Sequence, residues 1–187
     1  MDIFKTAFDM FPKLDSNNFA LREAKESDWN EIYDIYSNEE AVKYQEIPTM
    51  KTKEQAKKSI SHFLNSYKNK RFIRWCIVYR NYDKIIGLIT LHDLDTWNSK
   101  AEIGYMLNRK FWRQNIMTEC AEKVIEYAFE VIKLHRLEAM IHPENIASIK
   151  LNSKLGFELE GLKKECAYNR KTEEFEDRFL YALINKR

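Results

Sequence analysis

Residues 102–119 read EIGYMLNRKFWRQNIMTE, and residues 145–161 read NIASIKLNSKLGFELEG. The first stretch continues the apolar run KAEIGYML at 100–107, which is typical of a strand. It then turns through polar and basic residues into a helix, whose apolar side chains keep helical spacing for three turns: Ala121, Val124, Ile125, Ala128, Phe129 and Ile132. The second stretch opens a shorter helix at Asn145 and ends it at Gly156, where a left-handed residue is favourable.

The flanking sequence completes an alternating order of strands and helices. Strands are predicted at 18–24, 72–79, 84–92, 100–107, 136–141, 157–167 and 175–184. Two amphipathic helices follow the first strand, with Ser27 and Thr52 as their predicted N-caps, and Gln55 gives Thr52 the spacing of a capping box. Because strand–helix–strand units require crossover connections, some strands must pair in parallel. The pattern predicts an α/β fold in which helices cover both faces of a mixed sheet.

Composition narrows the class of protein. The chain has 187 residues, enough for one domain with a substantial core, and no domain boundary is evident after about residue 16. Its 31 basic and 29 acidic residues give a net charge of +2, which provides no general electrostatic surface for nucleic acid. No apolar run is long enough to span a bilayer, and the N-terminus lacks the pattern of a secretory signal. We therefore expect one cytoplasmic domain over residues 1–187, with residues 1–16 as an N-terminal extension.

Cysteine and glycine usage add two further expectations. Cys76, Cys120 and Cys166 are widely spaced, which favours reduced thiols over a disulfide framework or a zinc site. The sequence also lacks the P-loop, HExxH and GxSxG patterns of other enzyme classes. Glycine is scarce, so we expect each of the four to stand where a side chain cannot: Gly87, Gly104, Gly156 and Gly161.

Four motifs in order along the chain resemble one known family. Residues 102–107 fit the pattern E-x-G-Y-x-L, residues 112–120 resemble W-x-x-G-x-[AM]-T-E-A, and residues 145–161 fit N-x-x-S-x-x-x-x-x-K-x-G-F-x-x-E-G. The segment EDRFLYALI at 176–184 resembles the closing strand of the same family. The combination resembles the GNAT superfamily of N-acetyltransferases, and within it the bacterial RimJ/RimL type that acetylates ribosomal proteins. The resemblance covers about residues 18–185 and implies a mostly antiparallel, twisted sheet with one splayed parallel pair.

The resemblance and elementary electrostatics point to the same cofactor site. A helix N-terminus offers unpaired N–H groups and the positive end of the helix dipole, which suit phosphate oxygens. The turn into the longest helix would then hold the pyrophosphate of acetyl-CoA, and Arg113, with Arg109 and Lys110 just upstream, would add positive charge. The cofactor contacts implied for this turn are Trp112, Arg113, Gln114, Asn115, Ile116, Met117 and Thr118. The turn taken alone also fits a solvated basic cap on a core helix.

The turn departs from the family pattern at Asn115, where the family has glycine. Glycine lets the backbone approach a phosphate closely and adopts positive φ without strain. Asparagine is the residue that best tolerates that conformation after glycine. We therefore predict that the turn keeps its shape and binds the cofactor more weakly. Met117 also differs from the common pattern, but methionine is a familiar variant there.

Strand 102–107 is the second predicted cofactor contact. The resemblance implies that it splays from strand 136–141 and that pantetheine lies in the gap. Main-chain groups near Met106 and Leu107 would bind it as they would bind an added strand. A main-chain N–H of the same two residues would also be the oxyanion donor. A fully paired strand without a gap is the alternative that the sequence leaves open.

The helix that follows Pro143 carries three more candidates. Asn145 and Ser148 lie three residues apart and so share one face of its first turn. Asn145 can be a simple N-cap, whereas the resemblance implies that it holds cofactor or a bound water. The resemblance also implies that Ser148 assists the leaving thiolate and that Asn152 contacts the cofactor.

Proton transfer requires a titratable group near the amine. Glu102, on the central strand, is the leading candidate to accept the proton, directly or through water, although it could instead pair with a surface cation. Glu160 is the second candidate. His92 and His142 titrate in the right range, but each ends an apolar run, which favours a structural or surface role. Asp177 is expected to make a structural hydrogen bond.

These expectations converge on acetyl transfer from acetyl-CoA to a primary amine, in a ternary complex, without a metal or a covalent enzyme intermediate. The preferred acceptor is a protein N-terminal α-amine, ribosomal by resemblance, because its pKa near ~7.7–8 demands less of a general base than a lysine near ~10.4. The alternatives are a small amine (a polyamine, amino acid or antibiotic) and a non-catalytic acyl-CoA-binding protein. A homodimer is implied by resemblance alone. The aromatic N-terminus, with Phe4, Phe8 and Phe11, could pack on the body or on such a partner.

Overall fold

A computed structural model describes residues 4–186. Its strands are β1 (Leu14–Asp15), β2 (Phe19–Arg22), β3 (Ile73–Tyr79), β4 (Tyr82–Asp95), β5 (Lys100–Leu107), β6 (Arg136–Ile141), β7 (Glu158–Asn169) and β8 (Glu174–Ile184). Its α-helices are α1 (Trp29–Tyr36), α2 (Lys53–Lys68), α3 (Ile116–Glu126) and α4 (Ile146–Lys154), joined by short 3₁₀ turns at Thr6–Phe8, Glu26–Asp28 and Arg109–Phe111. The predicted order of elements is confirmed, with the two-residue β1 as an addition.

The strands form one sheet in the order β1-β2-β3-β4-β5-β6-β8-β7. Every neighbouring pair is antiparallel except β5 and β6, which run parallel as the crossover through α3 requires. Strand β8 lies between β6 and β7, so the crossover through α4 brings β7 into the same direction as β6 without pairing them. The predicted mixed, mostly antiparallel sheet is confirmed.

The parallel pair separates after three residues. Pairing runs from Lys100↔Arg136 to Glu102↔Glu138 and then stops. Beyond this point β5 pairs only with β4, and β6 pairs only with β8. The remaining halves, 103–107 and 139–141, therefore diverge, and the predicted splay is present.

Helices cover both faces of the sheet, as the alternation along β3 shows. Trp75 and Ile77 belong to the core that includes α3, whereas Cys76 and Val78 belong to the core that includes α1 and α2. Successive residues of a strand point to opposite faces, so these four buried side chains supply both cores from one strand. The prediction of helices on both faces is confirmed.

Two helix boundaries test the capping predictions. Thr52 and Gln55 form the expected capping box, in which the Gln55 N–H donates to Thr52 Oγ1 and the Thr52 N–H donates to Gln55 Oε1. The Ser27 prediction is wrong, because Ser27 lies inside the 3₁₀ turn before α1. Asp28 occupies the N-cap position of α1 without a side-chain cap hydrogen bond. Its carboxylate instead accepts the Lys25 N–H at 2.6 Å and pairs with Arg22.

The helix after the turn at 112–118, predicted to be the longest, has 11 α-helical residues against 16 in α2, and it changes geometry before its predicted end. The α-helix α3 stops at Glu126, and residues Tyr127–Val131 form a π-helical turn in which the Ile132 N–H donates to the Tyr127 carbonyl. A π turn accommodates one extra residue, so the apolar face still reaches Ile132. Helical periodicity in the sequence could not distinguish these two geometries.

Only two of the four glycines stand where a side chain cannot. A Cβ on Gly87 would lie 2.7 Å from Leu107 Cδ1 and 2.8 Å from the Met106 carbonyl oxygen, and Gly156 ends α4 at a φ of +87°. The expectation is wrong for Gly161, where nothing lies within 4 Å, and for Gly104, whose nearest neighbour is His92 Nε2 at an ordinary 3.5 Å.

The N-terminal extension packs on the body of the protein. Phe4 is buried in the core beside the sheet, and Phe8 and Phe11 place their rings 5.2 and 4.9 Å from that of Tyr67. The Tyr67 hydroxyl donates to the Ala7 carbonyl at 2.9 Å. Of the two arrangements that the sequence left open, the structure therefore shows contact with α2.

Two other expectations concern thiols and membranes. Cys76, Cys120 and Cys166 are all free; the first two are buried and the third is exposed. Among residues 4–186, none of the helices has the length and apolar character needed to cross a bilayer.

Candidate active site

The divergence of β5 and β6 opens a cleft with a volume of about 1020 Å³. The far half of β5, the start of α3, the start of α4 and the loop after α1 form its walls. Most of the predicted site residues line it: Glu102, Met106, Leu107, Trp112, Arg113, Gln114, Asn115, Ile116, Met117, Thr118, Asn145 and Ser148. The structure thus brings together two stretches that are about thirty residues apart in the sequence.

The turn into α3 has an unusual backbone that explains its shape. Arg113 and Asn115 both adopt left-handed conformations, with φ of 61° and 59°. Asn115 is the N-cap residue, and its side chain makes no cap hydrogen bond. The first-turn residues Ile116 and Thr118 have nearly buried side chains but still line the cleft. The predicted shape of the turn is present, and the N-terminus of α3 faces the cleft as an anion site requires.

Positive charge reaches this turn from α4. The Lys154 ammonium donates to Asn115 Oδ1 at 2.6 Å, and both Lys150 and Lys154 line the cleft. Neither lysine was predicted to contact the cofactor, although Lys154 is the lysine of the N-x-x-S-x-x-x-x-x-K pattern and the spacing of four residues places both on one face of a helix. The charge predicted from Arg109 and Lys110 is directed elsewhere: both residues line a separate cavity of about 520 Å³, and Arg109 pairs with Glu40 at 2.7 Å.

Hydrogen bonds tie the turn to the end of β5. The Trp112 indole N–H donates to the Leu107 carbonyl at 2.9 Å, and the Gln114 side chain donates to the Lys110 carbonyl. Met106 lines the cleft while its side chain is buried in the core under α1 and α2. The end of β5 is therefore fixed in place, but one of its predicted binding groups, the Leu107 carbonyl, already has a partner.

The helix α4 and its N-cap residue contribute side chains that line the cleft and one buried side chain that lies behind them. Asn145 is the N-cap, because its Oδ1 accepts the Ser148 N–H at 3.1 Å, and both residues line the cleft. Asn152 is fully buried and does not line the cleft. Its amide donates to the Ser148 carbonyl at 2.9 Å and accepts the Tyr105 hydroxyl at 3.2 Å. Asn152 thus holds the main chain of Ser148 from inside the protein, and its burial prevents the predicted contact with a cofactor.

Tyr105 was not among the predicted site residues. It lines the cleft, and burial raises the pKa of its hydroxyl, which keeps the proton that it donates to Asn152. Its position as the tyrosine of the E-x-G-Y-x-L pattern could have indicated it from the sequence.

Glu102 is the last residue of β5 that pairs with β6, at the point where the two strands separate. Its side chain is 21% exposed, and burial raises the pKa of its carboxyl. His92 and a hydrogen bond from the Met140 N–H oppose this rise, whereas Glu138 adds to it. A buried carboxylate with few cations around it is suited to accept a proton.

Glu160, the second candidate, lies outside the cleft. It forms a bidentate pair with the Arg136 guanidinium, at 2.8 and 2.5 Å, and this pair lowers the pKa of its carboxyl. A carboxylate that holds its charge so strongly is a poor proton acceptor. Asp177, by contrast, makes the structural bond expected of it, because its Oδ1 accepts the Glu165 N–H at 2.8 Å.

Both histidines that the sequence assigned to structural roles line the cleft. His92 Nε2 lies 3.9 Å from Glu102 Oε1. His142 Nδ1 accepts the Glu144 N–H at 3.1 Å, and its ring lies 5.1 Å from that of Tyr44. Hydrophobic patterning placed each histidine at the end of an apolar run but could not reveal that these ends meet in the cleft.

A buried arginine marks the far end of the cleft. Arg178 is 3% exposed, and its guanidinium contacts Glu46 at 3.1 Å and Glu176 at 2.8 Å. The Arg170 N–H also donates to the Glu46 carbonyl. The loop between α1 and α2 is therefore linked to the β7–β8 hairpin at this end.

A comparison with protein families identifies the site. Residues 18–158 match the family model described as the acetyltransferase (GNAT) domain. The chain belongs to the GNAT family. Members of this family are acyl-CoA-dependent acetyltransferases, so the chain is an N-acetyltransferase, and the resemblance seen in its motifs is confirmed.

Individual relatives agree with the family. The uncharacterised N-acetyltransferase YoaA of Bacillus subtilis is 34% identical over 178 residues, which is 95% of this chain and 99% of YoaA. The ribosomal-protein-serine acetyltransferase of Escherichia coli is 28% identical over 102 residues, 54% of this chain and 56% of that protein. A solved structure of RimL, a ribosomal L7/L12 α-N-protein acetyltransferase in complex with coenzyme A, has a TM-score of 0.80 at 22% identity and covers 92% of this chain and 98% of its own.

GNAT acetyltransferases use acetyl-CoA, and the residues of this cleft fit that molecule. The left-handed turn at Asn115, the first turn of α3 and the Lys154 ammonium all line the cleft, and a helix start beside a cation suits phosphate oxygens. The gap between β5 and β6 is part of the same cleft, with Glu102 at the point where the strands separate, and an extended arm such as pantetheine would lie there.

We predict that Asn115→Ala lowers the affinity for acetyl-CoA about tenfold. A left-handed conformation costs an alanine ~1–2 kcal/mol, and the Lys154 ammonium loses its acceptor. Calorimetric titration with acetyl-CoA measures the change. Asn115→Gly is the matched control, because glycine keeps the turn; we expect it to bind at least as tightly as the unmodified protein. Equal affinities for all three would contradict a role of this residue in shaping the turn.

Proposed function

We propose that the protein acetylates the N-terminal α-amine of a protein, with acetyl-CoA as the donor and by direct attack in a ternary complex. The observation that carries this proposal is the position of Glu102. Its largely buried carboxylate lies where the parallel strands separate, within the same cleft as the phosphate-binding turn. The relative that acetylates a ribosomal-protein serine and the RimL structure support this class of acceptor.

Acetyl-CoA supplies the thioester carbonyl, which the free amine attacks, and CoA leaves as a thiol. We propose that the first turn of α3 and the lysines Lys150 and Lys154 hold its phosphates. Main-chain groups of Met106 and Leu107 would orient the arm, and one of their N–H groups would hold the carbonyl oxygen. Ser148, whose main chain is fixed by Asn145 and Asn152, would donate a hydrogen bond to the departing thiolate, which takes up a proton from water to leave as the thiol.

Glu102 would take the proton that the amine loses as it attacks. An α-amine, with a pKa near ~7.7–8, is already partly unprotonated at neutral pH, so a carboxylate with a raised pKa is a sufficient acceptor. A lysine amine near ~10.4 would need a stronger base. The chemistry of the site therefore favours an α-amine over a lysine side chain.

A small polyamine is the second candidate, and one feature favours it. Four carboxylates line the cleft, Glu40, Glu46, Glu102 and Glu144. The first two are paired with Arg109 and Arg178, so Glu102 and Glu144 would attract a cation with more than one amine. The homodimer implied by the family resemblance stays a prediction.

A thiol-release assay distinguishes the two acceptors. The purified protein is mixed with acetyl-CoA and with one of three acceptors: a peptide with a free N-terminal serine or alanine, the same peptide with a blocked N-terminus and an internal lysine, or spermidine. We expect release of CoA and a mass increase of one acetyl group on the free-N-terminus peptide, and neither with the blocked control. Turnover of spermidine with no acetylation of any peptide would overturn the α-amine assignment.

A further inference from the structure

Two consecutive residues of β4 direct their side chains at each other. His92 Nδ1 lies 2.9 Å from Asp93 Oδ2. Neighbours on a regular strand point to opposite faces of the sheet, so this contact requires a local distortion. The distortion is present: Asp93 has a φ of +48°, and the register between β4 and β5 shifts between His92 and Asp95. Such bulges reorient side chains beside active sites.

The other ring nitrogen of His92 faces the proton acceptor proposed above. His92 and Glu102 are cross-strand partners, and His92 Nε2 lies 3.9 Å from Glu102 Oε1. A small rotation or one water closes this distance, as is common for catalytic pairs without substrate. The other groups that face Glu102 are Asp93 from β4, and Glu138 with the Met140 N–H from β6.

The exposed fraction of the side chain increases from Glu102 to His92 to Asp93, the order in which these residues contact one another. Glu102 is 21% exposed, His92 is 33% exposed and lines the cleft, and Asp93 is 79% exposed and lies outside it. The contacts therefore lead from the bottom of the cleft to solvent, and no lysine or arginine among residues 4–186 forms an ion pair with these three side chains.

We propose that His92 relays the proton from Glu102 to solvent, with Asp93 as the residue that positions its ring. The inference rests on the proposed acetyl transfer to an amine. As the new C–N bond forms and the thioester C–S bond breaks, the amine proton moves to Glu102; the neutral acid then passes it to His92 Nε2, and the imidazolium releases it to water. Asp93 accepts the Nδ1–H throughout, which leaves Nε2 free to receive the proton in the neutral ring. Glu102 is thereby ionised again for the next turnover.

The kinetic test replaces His92 with a residue of similar polarity that should leave the shape of the cleft unchanged. His92→Gln keeps a polar side chain but cannot carry a proton, and we expect kcat to fall about tenfold to a hundredfold with the KM for acetyl-CoA unchanged. Added imidazole is expected to restore part of the rate, which it would not do for a purely structural histidine. His62→Gln is the matched control, because His62 lies on the exposed side of α2 against Phe72. A kcat for His92→Gln within twofold of the unmodified protein would overturn the relay.

The assay uses whichever acceptor turns over fastest among the peptide, spermidine and free amino acids. Failure of the α-amine assignment therefore does not prevent the test of His92. The same side chains could instead bind a metal ion, so the assay is repeated after treatment with EDTA. Unchanged activity supports the relay; a loss that added zinc restores would show a metal site and overturn it.

A second measurement requires no acceptor. Nitrogen-15 spectra of the labelled protein report which ring nitrogen of each histidine carries the proton, and His92→Gln assigns the signal. We expect neutral His92 to carry its proton on Nδ1, and we expect Asp93→Asn to remove that preference. A proton on Nε2 in the unmodified protein would overturn the proposed direction of transfer.

Discussion

Glu102→Gln is expected to lower kcat about 10²–10⁴-fold, the range typical for loss of a general acid–base group. The amide has the size of the carboxylate and can still accept the Met140 N–H, but it cannot take a proton from the amine. The KM for acetyl-CoA should change little, since Glu102 is not part of the turn into α3 that we propose holds the phosphates. Thiol release at a saturating concentration of acceptor, with acetyl-CoA varied, measures both parameters.

Glu160→Gln is the matched control for this substitution. Glu160 pairs with Arg136 outside the cleft, so its replacement should leave kcat within about twofold. The sequence alone placed both glutamates on the list of proton acceptors, and the two variants decide between them. Full activity of Glu102→Gln together with a large loss in Glu160→Gln would contradict the site described above.

A stability measurement excludes unfolding as the cause of the lost activity. Burial raises the pKa of Glu102 in the folded protein above the ~4.3 of an unfolded chain. The folded state therefore favours the protonated carboxyl, and the ionised form at neutral pH destabilises folding. This destabilisation is absent below the unfolded pKa and grows as the pH rises through the folded pKa. Glu102→Gln should consequently melt at the same temperature as the unmodified protein or higher at pH 7.

Trp75→Ala is expected to destabilise the protein by about 3–5 kcal/mol, the range for removal of a large buried aromatic side chain. Trp75 is fully buried on β3 and contacts both the N-terminal extension and the helix after the cleft. Its indole N–H donates to the Pro12 carbonyl at 2.6 Å, and its ring makes edge contacts with Phe11 and Tyr127. Urea unfolding followed by circular dichroism and by fluorescence gives the free energy of unfolding and checks that the transition is two-state.

Trp75→Phe separates the contribution of the buried aromatic ring from that of the indole hydrogen bond to the Pro12 carbonyl. Phenylalanine keeps most of the buried aromatic surface but leaves the Pro12 carbonyl without its donor, so a smaller loss of about 1–3 kcal/mol is expected. This variant also provides a value if Trp75→Ala does not fold. An unfolding midpoint for Trp75→Phe equal to that of the unmodified protein would show that the indole bond to the N-terminal extension adds nothing.

Much of the fold could be predicted from the sequence because it depends on local patterns. Strands 100–107 and 136–141 have the predicted bounds, since alternating or continuous apolar runs identify buried strands directly. The capping box at Thr52 and the glycine at the end of α4 are equally local signals, satisfied within one helical turn. The π turn after Glu126 was not predictable, because both helical geometries present the same apolar face.

The sequence also indicated the family and most of the cleft, because the motifs that bind acetyl-CoA in this family are short and ordered along the chain. The tertiary structure decided which polar residues face the cleft. Asn152 and Ser148 are four residues apart on one helix, yet only Ser148 reaches the surface of the cleft, since Asn152 points at the buried Tyr105 hydroxyl.

Contacts between distant strands and helices were likewise decided only by the tertiary structure. The Lys154 ammonium meets Asn115 across 39 positions of sequence, and His92 meets Glu102 through the pairing of β4 with β5. A single sequence specifies periodicity and turn chemistry within a few residues. The direction of a polar side chain between packed elements depends on strand register, bulges and helix rotation, which are set by the packing of the whole chain.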